Sequence, residues 1–228
     1  SLNIWYDETV QRLNSDGRGV LIGAFSGADR IITIMKSGYY RLTSFDLSTH
    51  FDDDMMIIRK FDPEEVFTVV YQENSTKHLY VKRFKAELSD KKIEFVEEKD
   101  QMVLFSIDEM PMLHIDYDMT QKTKGSETEE INIHEFIGVK GVKAKGKRIT
   151  LHTIRTIEWM EPLPSEESGE ENGEPGDLLE TTDELSAENQ ENESQEELPV
   201  VSPLIGGGTL SDLLESTEVG ADGQHTLP

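Results

Sequence analysis

Residues 29–45 read DRIITIMKSGYYRLTSF, and this stretch decides the fold class. Two runs rich in Ile, Thr, Tyr and Phe flank Ser37-Gly38, a composition typical of two strands joined by a tight turn. Comparable short runs recur along the chain, and each ends at Gly, Asp, Asn, Ser or Pro. They predict strands at residues 18–26, 30–35, 38–45, 65–71, 78–84, 92–96, 101–107, 111–117, 131–137 and 147–157. Because no longer stretch has apolar residues at helical spacing, we expect an all-β domain whose strand edges are closed or covered.

The chain divides into two regions of very different charge. All 22 Lys and Arg residues precede Pro164, whereas residues 165–228 contain 18 acids and no base. The formal net charge is therefore −6 for residues 1–164 and −18 for the remainder. A like-charged run with few large apolar residues cannot bury enough surface to offset chain entropy. We predict a folded domain over residues 1–164 and a disordered acidic tail over residues 165–228.

Several classes of protein are excluded by composition. The chain has no cysteine and no apolar run of about 18 residues, which excludes disulfides, thiolate zinc sites and a membrane-spanning helix. The six histidines lack metal-ligand spacing, and no phosphate loop or nucleophile motif is present. We therefore predict no catalytic residue, no metal and no cofactor in this chain. Because it does not begin with Met, we expect it to be a fragment of a longer polypeptide.

A weak internal repeat organises the predicted strands. Residues 29–45, 100–117 and 131–154 each have an apolar strand, a tight turn and a second strand, and residues 77–88 resemble an outer strand. Such repeats, with roughly four strands in about 40–50 residues, predict propeller-like blades, of which residues 1–164 would hold about three to four. A β-sandwich with irregular hairpins is the alternative. Trp5 and Trp159 lie near the two ends of this region, so we expect the N-terminal segment to pack against the last blade.

Residues 136–155 are the strongest candidate for a binding site. They contain six bases and no acid in a region whose net charge is negative, as phosphate neutralisation requires. The bases are Lys140, Lys143, Lys145, Lys147, Arg148 and Arg155. Gly138, Gly141 and Gly146 would let the backbone approach a phosphate closely. Because no aromatic residue lies between these lysines, the pattern favours duplex DNA over single strands, with a solvated basic loop as the alternative.

Two smaller basic sets are weaker candidates. Near residues 77–92, Lys82 and Arg83 would point to opposite faces of a strand, and we favour Arg83 and Lys85, which share one face. Lys36 and Arg41 flank the Ser37-Gly38 turn and form the third candidate. For both sets, lysines that keep a strand edge soluble are the alternative.

Four stretches together resemble a known family. They are LNIWYDETVQRLNSDGRGVLIGAFS near the N-terminus, DRIITIMKSGYYRLTSFDLSTHF, HLYVKRFKAE and EFIGVKGVKAKGKRIT. Over residues 2–162 the chain is similar to the C-terminal domain of the A subunit of bacterial type IIA topoisomerases, the gyrase A and topoisomerase IV A subunits, especially those of the Bacteroides group. The resemblance implies a β-pinwheel, a propeller variant with hairpin-exchanged blades, that binds and bends duplex DNA along a basic rim. It also implies a bacterial cytoplasmic, nucleoid-associated protein. The partners it implies are the rest of the A subunit and the ATPase B subunit, which would supply the ATP and Mg sites of an ATP-dependent isomerase.

Two departures from that family refine the expectation. Gyrase subunits carry a box of the type QRRGGKG in the first blade, and the matching region here reads RLTSFDLSTHF. Its absence favours a topoisomerase IV-like role in decatenation and relaxation over supercoiling. The family's breakage-reunion motif is also absent, and Tyr39 and Tyr40 are interpreted as sheet and core residues. We therefore expect a module that does not cleave DNA by itself.

Two functions remain open from the sequence. The first is a DNA-binding module whose tethered acidic tail competes with DNA for the same lysines. The second is a propeller-like protein-interaction scaffold whose acidic tail recruits a basic partner. For the tail alone, a solubility role and docking as a short helix are further alternatives.

Overall fold

Nearly all regular structure in the described residues is extended. The computed structural model describes residues 1–120 and 125–165 and a two-residue strand at 208–209. Its strands are β1 Leu2–Asp7, β2 Arg12–Asn14, β3 Val20–Phe25, β4 Ile31–Met35, β5 Tyr39–Thr43, β6 Met55–Lys60, β7 Val66–Gln72, β8 Leu79–Lys85, β9 Ile93–Glu94, β10 Gln101–Ser106, β11 Met112–Tyr117, β12 Thr128–Asn132, β13 Lys147–Arg148, β14 Ile154–Trp159 and β15 Gly208–Thr209. One four-residue helix, α1 Ile133–Phe136, follows β12. The predicted all-β fold is confirmed.

The strands form four small antiparallel sheets. The first has the order β2-β1-β3, the second β6-β4-β5-β9, the third β10-β7-β8-β13 and the fourth β12-β11-β14-β15. The last strand of the second sheet, and likewise that of the third, comes from a part of the chain that lies among the strands of the following sheet. β9 lies between β8 and β10 in the chain but pairs with β5, and β13 lies between β12 and β14 but pairs with β8. Neighbouring sheets therefore exchange strands, as the β-pinwheel resemblance implies.

Three apolar clusters lie between successive sheets. One joins the first sheet to Ile31 and Ile58 of the second, another joins the second to the third, and the last joins the third to the fourth. Because side chains alternate along a strand, β7 directs Phe67 and Val69 into the middle cluster and Val70 into the last. The third sheet is consequently buried on both faces.

Several predicted elements require correction. β1, β2 and β6 lie outside the predicted strands. Residues 131–137 divide into the end of β12 and α1, because the Asn132 side chain accepts a hydrogen bond from Glu135 N (3.4 Å) and caps a helical turn. Residues 147–157 divide into β13 and β14, which belong to different sheets.

The predicted pairing of the strands is right for one hairpin and wrong for two. β4 and β5 pair as expected for residues 29–45. β10 pairs with β7 rather than β11, and β12 pairs with β11 rather than with residues 147–154. β8, expected as an outer strand, is an inner strand of the third sheet. The two predictions fail because β10 completes the third sheet while β11 begins the fourth, and because β13 pairs with β8 rather than with β12.

The expected meeting of the two ends is also wrong. Ile4 and Tyr6 of β1 pack in the cluster shared with the second sheet. Trp159 packs against the cluster between the third and fourth sheets, where its Nε1 donates to the Phe105 carbonyl (3.1 Å). The disordered tail predicted for residues 165–228 lies outside the described residues, apart from Ser165 and β15.

Candidate nucleic-acid interface

Residues 138–148, called the basic segment below, run along the outer side of β8. Lys140 N donates to the Arg83 carbonyl (2.9 Å), and β13 pairs Lys147 with Val81 and Arg148 with Tyr80. Val142 is buried in the cluster between the second and third sheets. The segment is therefore fixed at three places on the edge of the third sheet, and Lys143 and Lys145 between these places are exposed.

Gly146 is needed for this close approach. A Cβ at this position would lie 2.7 Å from the Val81 carbonyl oxygen and 3.1 Å from the Tyr71 ring. Gly146 N also donates to the Tyr71 hydroxyl (2.9 Å). By contrast, a Cβ at Gly138 or Gly141 would meet nothing within 4 Å. The backbone of Gly146 thus packs against the third sheet, and of these three glycines only Gly138 and Gly141 leave open space for a ligand.

The four lysines of the basic segment are exposed, but their side chains differ in their partners. Lys145 forms an ion pair with Glu73 (2.7 Å), and this hydrogen bond raises the pKa of Lys145. Lys147 donates to the Phe136 carbonyl (3.1 Å) and lies 3.9 Å from the centre of the Phe136 ring. Within the described part of the chain, Lys140 and Lys143 have no side-chain partner. These two ammonium groups are the most available to an external anion.

Arg148 lines a cleft of about 440 Å³ between the third and fourth sheets. The cleft also contains Lys77, His78 and His152, and its lining includes no acid. Its lining residues are Gln72, Thr76, Lys77, His78, Leu79, Arg148, Thr150, Leu151, His152, Thr153 and Ile154. The Nε of Arg148 is buried without a hydrogen-bond partner. A buried donor without an acceptor favours an anionic ligand, because such a ligand would recover the lost hydration.

Arg83, predicted as a DNA contact, is a structural residue instead. Its side chain is 3% exposed and donates to Thr68 Oγ1 (3.3 Å), His134 Nδ1 (3.2 Å) and the Glu109 carbonyl (2.8 Å). Burial lowers the pKa of this guanidinium. The prediction failed because it assumed one solvent-facing side for β8, whereas both faces of the third sheet are covered.

Lys82 is buried as well and holds the two exchanged segments together. Its ammonium donates to the Val142 carbonyl (2.9 Å) and to the Phe95 carbonyl. Val142 belongs to the basic segment and Phe95 follows β9 directly, so one side chain ties both to β8. Burial and, to a smaller degree, the charge of Lys143 lower the pKa of Lys82 to about 8.

The remaining predicted contacts are partly neutralised by nearby acids. Lys85 forms an ion pair with Glu64 (2.6 Å). Arg155 is exposed on β14, 3.9 Å from Glu127 and 4.0 Å from Asp116. Because nearby acids offset their charge, Lys85 and Arg155 are less available to an external anion than Lys140 or Lys143.

The turn between β4 and β5 carries acids beside its bases. Lys36 is exposed there, and Arg41 is half-buried with an unpartnered Nε. Ser37 donates to Asp54 (2.6 Å) and Tyr39 to Asp52 (2.6 Å), and the latter bond raises the pKa of Tyr39 to about 12. The acids make this turn a poorer anion site than the basic segment.

The sequence-based choice passed over two exposed lysines, Lys91 and Lys92. They directly precede β9, and Lys92 lies 4.8 Å from the centre of the Tyr39 ring. β9 is the last strand of the second sheet, as β13 is of the third. Knowledge of the strand exchange would have placed these lysines beside an outer strand equivalent to β13, whereas composition alone does not.

Other kinds of site receive no support from the described residues. Within residues 1–120 and 125–165, no three acidic or histidine side chains come together as a possible metal site. In the same part of the chain, no helix has the length and apolar character needed to cross a bilayer.

Comparison with known proteins identifies one family. The family described as the topoisomerase C-terminal domain of Bacteroidota matches residues 12–161. No curated protein matches the chain, and neither does any solved structure. The matched residues include all the strands of the four sheets except β1 and β15.

Proposed function

The chain belongs to the topoisomerase C-terminal domain family of Bacteroidota, and from this premise we propose that it binds and bends duplex DNA without sequence preference. In this proposal it is an accessory module of a type IIA topoisomerase of the topoisomerase IV kind. The rest of the A subunit and the ATPase B subunit are its partners in the bacterial cytoplasm. Cleavage, ATP and Mg belong to those other parts, and this module contributes no catalytic group.

The basic segment carries the proposal. It presents Lys140, Lys143 and Lys147 from a backbone that is hydrogen-bonded to β8, so the charges are held at the surface without ordering a loop on binding. Ammonium groups at a fixed edge can replace the counterions of a phosphate backbone. Lys91 and Lys92 lie beside β9, the corresponding outer strand of the second sheet, and the acid-free cleft of Arg148 lies between the third and fourth sheets.

The lack of sequence preference follows from the elements available. In the described residues the only helix has four residues, too few to lie in a major groove as a recognition helix. Lysine contacts to phosphates position a duplex but carry no base information. Bending would follow if one duplex contacts the edges of successive sheets, because each added contact repays part of the deformation energy.

A mobility-shift experiment on the full chain tests the proposal. Two unrelated linear duplexes should bind with affinities within a factor of about ten of each other, and added salt should weaken both strongly. End-to-end energy transfer on a doubly labelled duplex should increase on binding if the DNA bends. Absence of duplex binding at low salt, together with capture of a basic protein, would instead support the interaction-scaffold function. A preference above tenfold for one sequence would contradict non-specific binding.

A further inference from the structure

The second and third sheets follow one strand order. In each, the first two strands along the chain are central, the third strand flanks the first, and an exchanged strand flanks the second. These strands are β4, β5, β6 and β9 in the second sheet, and β7, β8, β10 and β13 in the third. Each exchanged strand comes from between the second and third strands of the following sheet. The outer side of the second strand is therefore the position at which this fold accepts an added strand.

The fourth sheet has its corresponding second strand, β12, at an edge. β11, β12 and β14 take the places of the first, second and third strands, in the order β14-β11-β12. β15 lies beside β14, at the opposite edge of the sheet from β12. Within the described residues β12 pairs only with β11, so its other edge presents N–H and C=O groups to an added strand. This edge of β12 corresponds to the edges of β5 and β8 that β9 and β13 cover.

The first sheet contributes no exchanged strand that could reach β12. Its second and third strands, β2 and β3, are joined by residues 15–19 alone, whereas residues 86–100 join β8 to β10. Asn14 closes the short connection, because its side chain donates to the Arg18 carbonyl (2.8 Å) and accepts from Arg18 N (3.0 Å). A strand added to β12 therefore has to come from outside the four sheets.

The two exchanged strands share a short pattern of two adjacent bases followed by isoleucine. It reads KKI at Lys91–Ile93 and KRI at Lys147–Ile149. In both, the isoleucine packs in the protein: Ile93 against the cluster between the second and third sheets, and Ile149 in the cluster between the third and fourth. The bases next to it lie at the surface edge of the sheet. This pattern describes the kind of strand that the fold accepts.

The strands that receive these segments present tyrosine rings to the incoming bases. Lys92, just before β9, lies 4.8 Å from the centre of the Tyr39 ring of β5. Lys145, just before β13, lies 4.7 Å from the centre of the Tyr80 ring of β8. A ring face attracts a nearby cation, so these contacts favour a basic segment at each edge.

β12 carries acids where β5 and β8 carry these rings. The exchanged strands pair with the first residues of the receiving strand, and β12 begins with Thr128, Glu129 and Glu130, all exposed. The Tyr117 hydroxyl donates to the Glu129 carboxylate and holds it in place. Opposite charges on neighbouring strands stabilise their pairing, whereas like charges destabilise it. The edge of β12 is therefore complementary to a basic strand and unfavourable to an acidic one.

We propose that this edge of β12 is a docking site for an extended segment of another protein in which two adjacent Lys or Arg residues precede Ile or Val. The segment joins the fourth sheet by β-strand addition, with its backbone paired to β12 and its bases beside Glu129 and Glu130. This inference is independent of DNA binding, because the acids of β12 repel phosphates.

A peptide copied from an exchanged segment tests the docking on the full chain. The probe has the sequence of residues 144–152, AKGKRITLH, and the control is the same peptide with Ile149→Pro. The control keeps the charge of the probe but loses a backbone donor and the extended pairing. By calorimetry at about 0.15 M salt, the chain should bind the probe at least about tenfold more tightly than the control. No binding of the probe, or equal binding of both peptides, would overturn the proposal.

Two variants of equal charge locate the bound peptide. Glu130→Lys changes the β12 edge, and Glu135→Lys changes an exposed acid of α1 as the matched control. Binding of the probe should weaken about tenfold in the first variant and at most about twofold in the second. Equal weakening would reduce the effect to net charge, and unchanged binding by Glu130→Lys would place the peptide on another strand, such as β8. Either result would overturn docking at β12.

Hydrogen exchange gives a measurement that requires no substitution. When the probe binds the full chain, those amides of residues 128–131 that point away from β11 should gain about tenfold or more in protection. Unchanged protection there would overturn the proposal. A chain that is dimeric in solution, and that Glu130→Lys makes monomeric, would overturn it too, because the edge would then belong to a second copy.

Discussion

β8 and the basic segment lie side by side and are both rich in Lys and Arg, yet they have opposite roles. Lys82 and Arg83 of β8 are buried and donate to carbonyls and side chains inside the protein. Lys140 and Lys143 of the basic segment are exposed and have no side-chain partner in the described residues. Basic composition therefore does not identify a DNA surface. What distinguishes the proposed DNA surface is the position of its bases: β8 is an inner strand of a sheet that is covered on both faces, whereas the basic segment lies at the edge of that sheet.

The largest expected effect is on β8. Arg83→Ala would leave Thr68, His134 and the Glu109 carbonyl without their buried donor. We expect a loss of about 2–4 kcal/mol in the free energy of unfolding, measured by urea denaturation. Lys85→Ala, on the same strand but in an exposed ion pair, should cost at most about 1 kcal/mol. Similar losses for both variants would remove the distinction between the buried and exposed bases.

The attachment of the basic segment to β8 can be broken at Gly146. Gly146→Ala places a Cβ 2.7 Å from the Val81 carbonyl, so either β13 shifts or the contact is strained. We expect a loss of about 1–3 kcal/mol together with weaker duplex binding. Gly141→Ala, whose Cβ meets nothing within 4 Å, is the control and should leave the free energy of unfolding nearly unchanged. If the two variants behave alike, the close approach does not hold the segment.

Part of this comparison was predictable from the sequence. The hairpin at residues 29–45 follows from its local pattern of strand, turn and strand. The exposure of the lysines at 143, 145 and 147 also follows from a local pattern, because they alternate with Val142 and Gly146, which face β8. The burial of Arg83 does not follow, since strand alternation assumes that one face meets water. The strand exchange is equally hidden, because β9 and β13 pair with strands far earlier in the chain. Two-residue strands carry too little pattern to reveal such partners.

Lys82 makes the free energy of unfolding depend on pH. Folding lowers its pKa from 10.5 to about 8, so between these values the unfolded chain binds more protons than the folded one. The free energy of unfolding should therefore rise with pH from about 8 towards 10 through this group, and it should not change through this group below pH 8. Lys82→Met should remove that rise when urea denaturation is measured at pH 7 and pH 9.5. An identical increase in the variant would show that another group is responsible.

The smallest expected effect concerns the acidic region and the charges of the basic segment. If the acids compete with DNA, deleting residues 165–228 should tighten duplex binding several-fold at low salt, and the gain should shrink as salt is added. The measurement is a mobility shift at two salt concentrations. Equal or weaker binding by the shortened chain at low salt would leave a solubility or docking role for this region.

The salt dependence of duplex binding tests most directly the claim that the exposed bases, and not the buried ones, contact DNA. Lys140, Lys143 and Lys147 are changed together to Gln, and Arg12, Arg18 and Arg30, bases from β2 to the start of β4, are changed together to Gln as the charge-matched control. Each phosphate contact contributes about 0.9 to the slope of log affinity against log salt. The first triple variant should therefore lose about 2–3 units of slope, and the control should keep the slope of the parent chain. An unchanged slope in the first variant, or an equal loss in both, would contradict the assignment of the basic segment as the DNA surface.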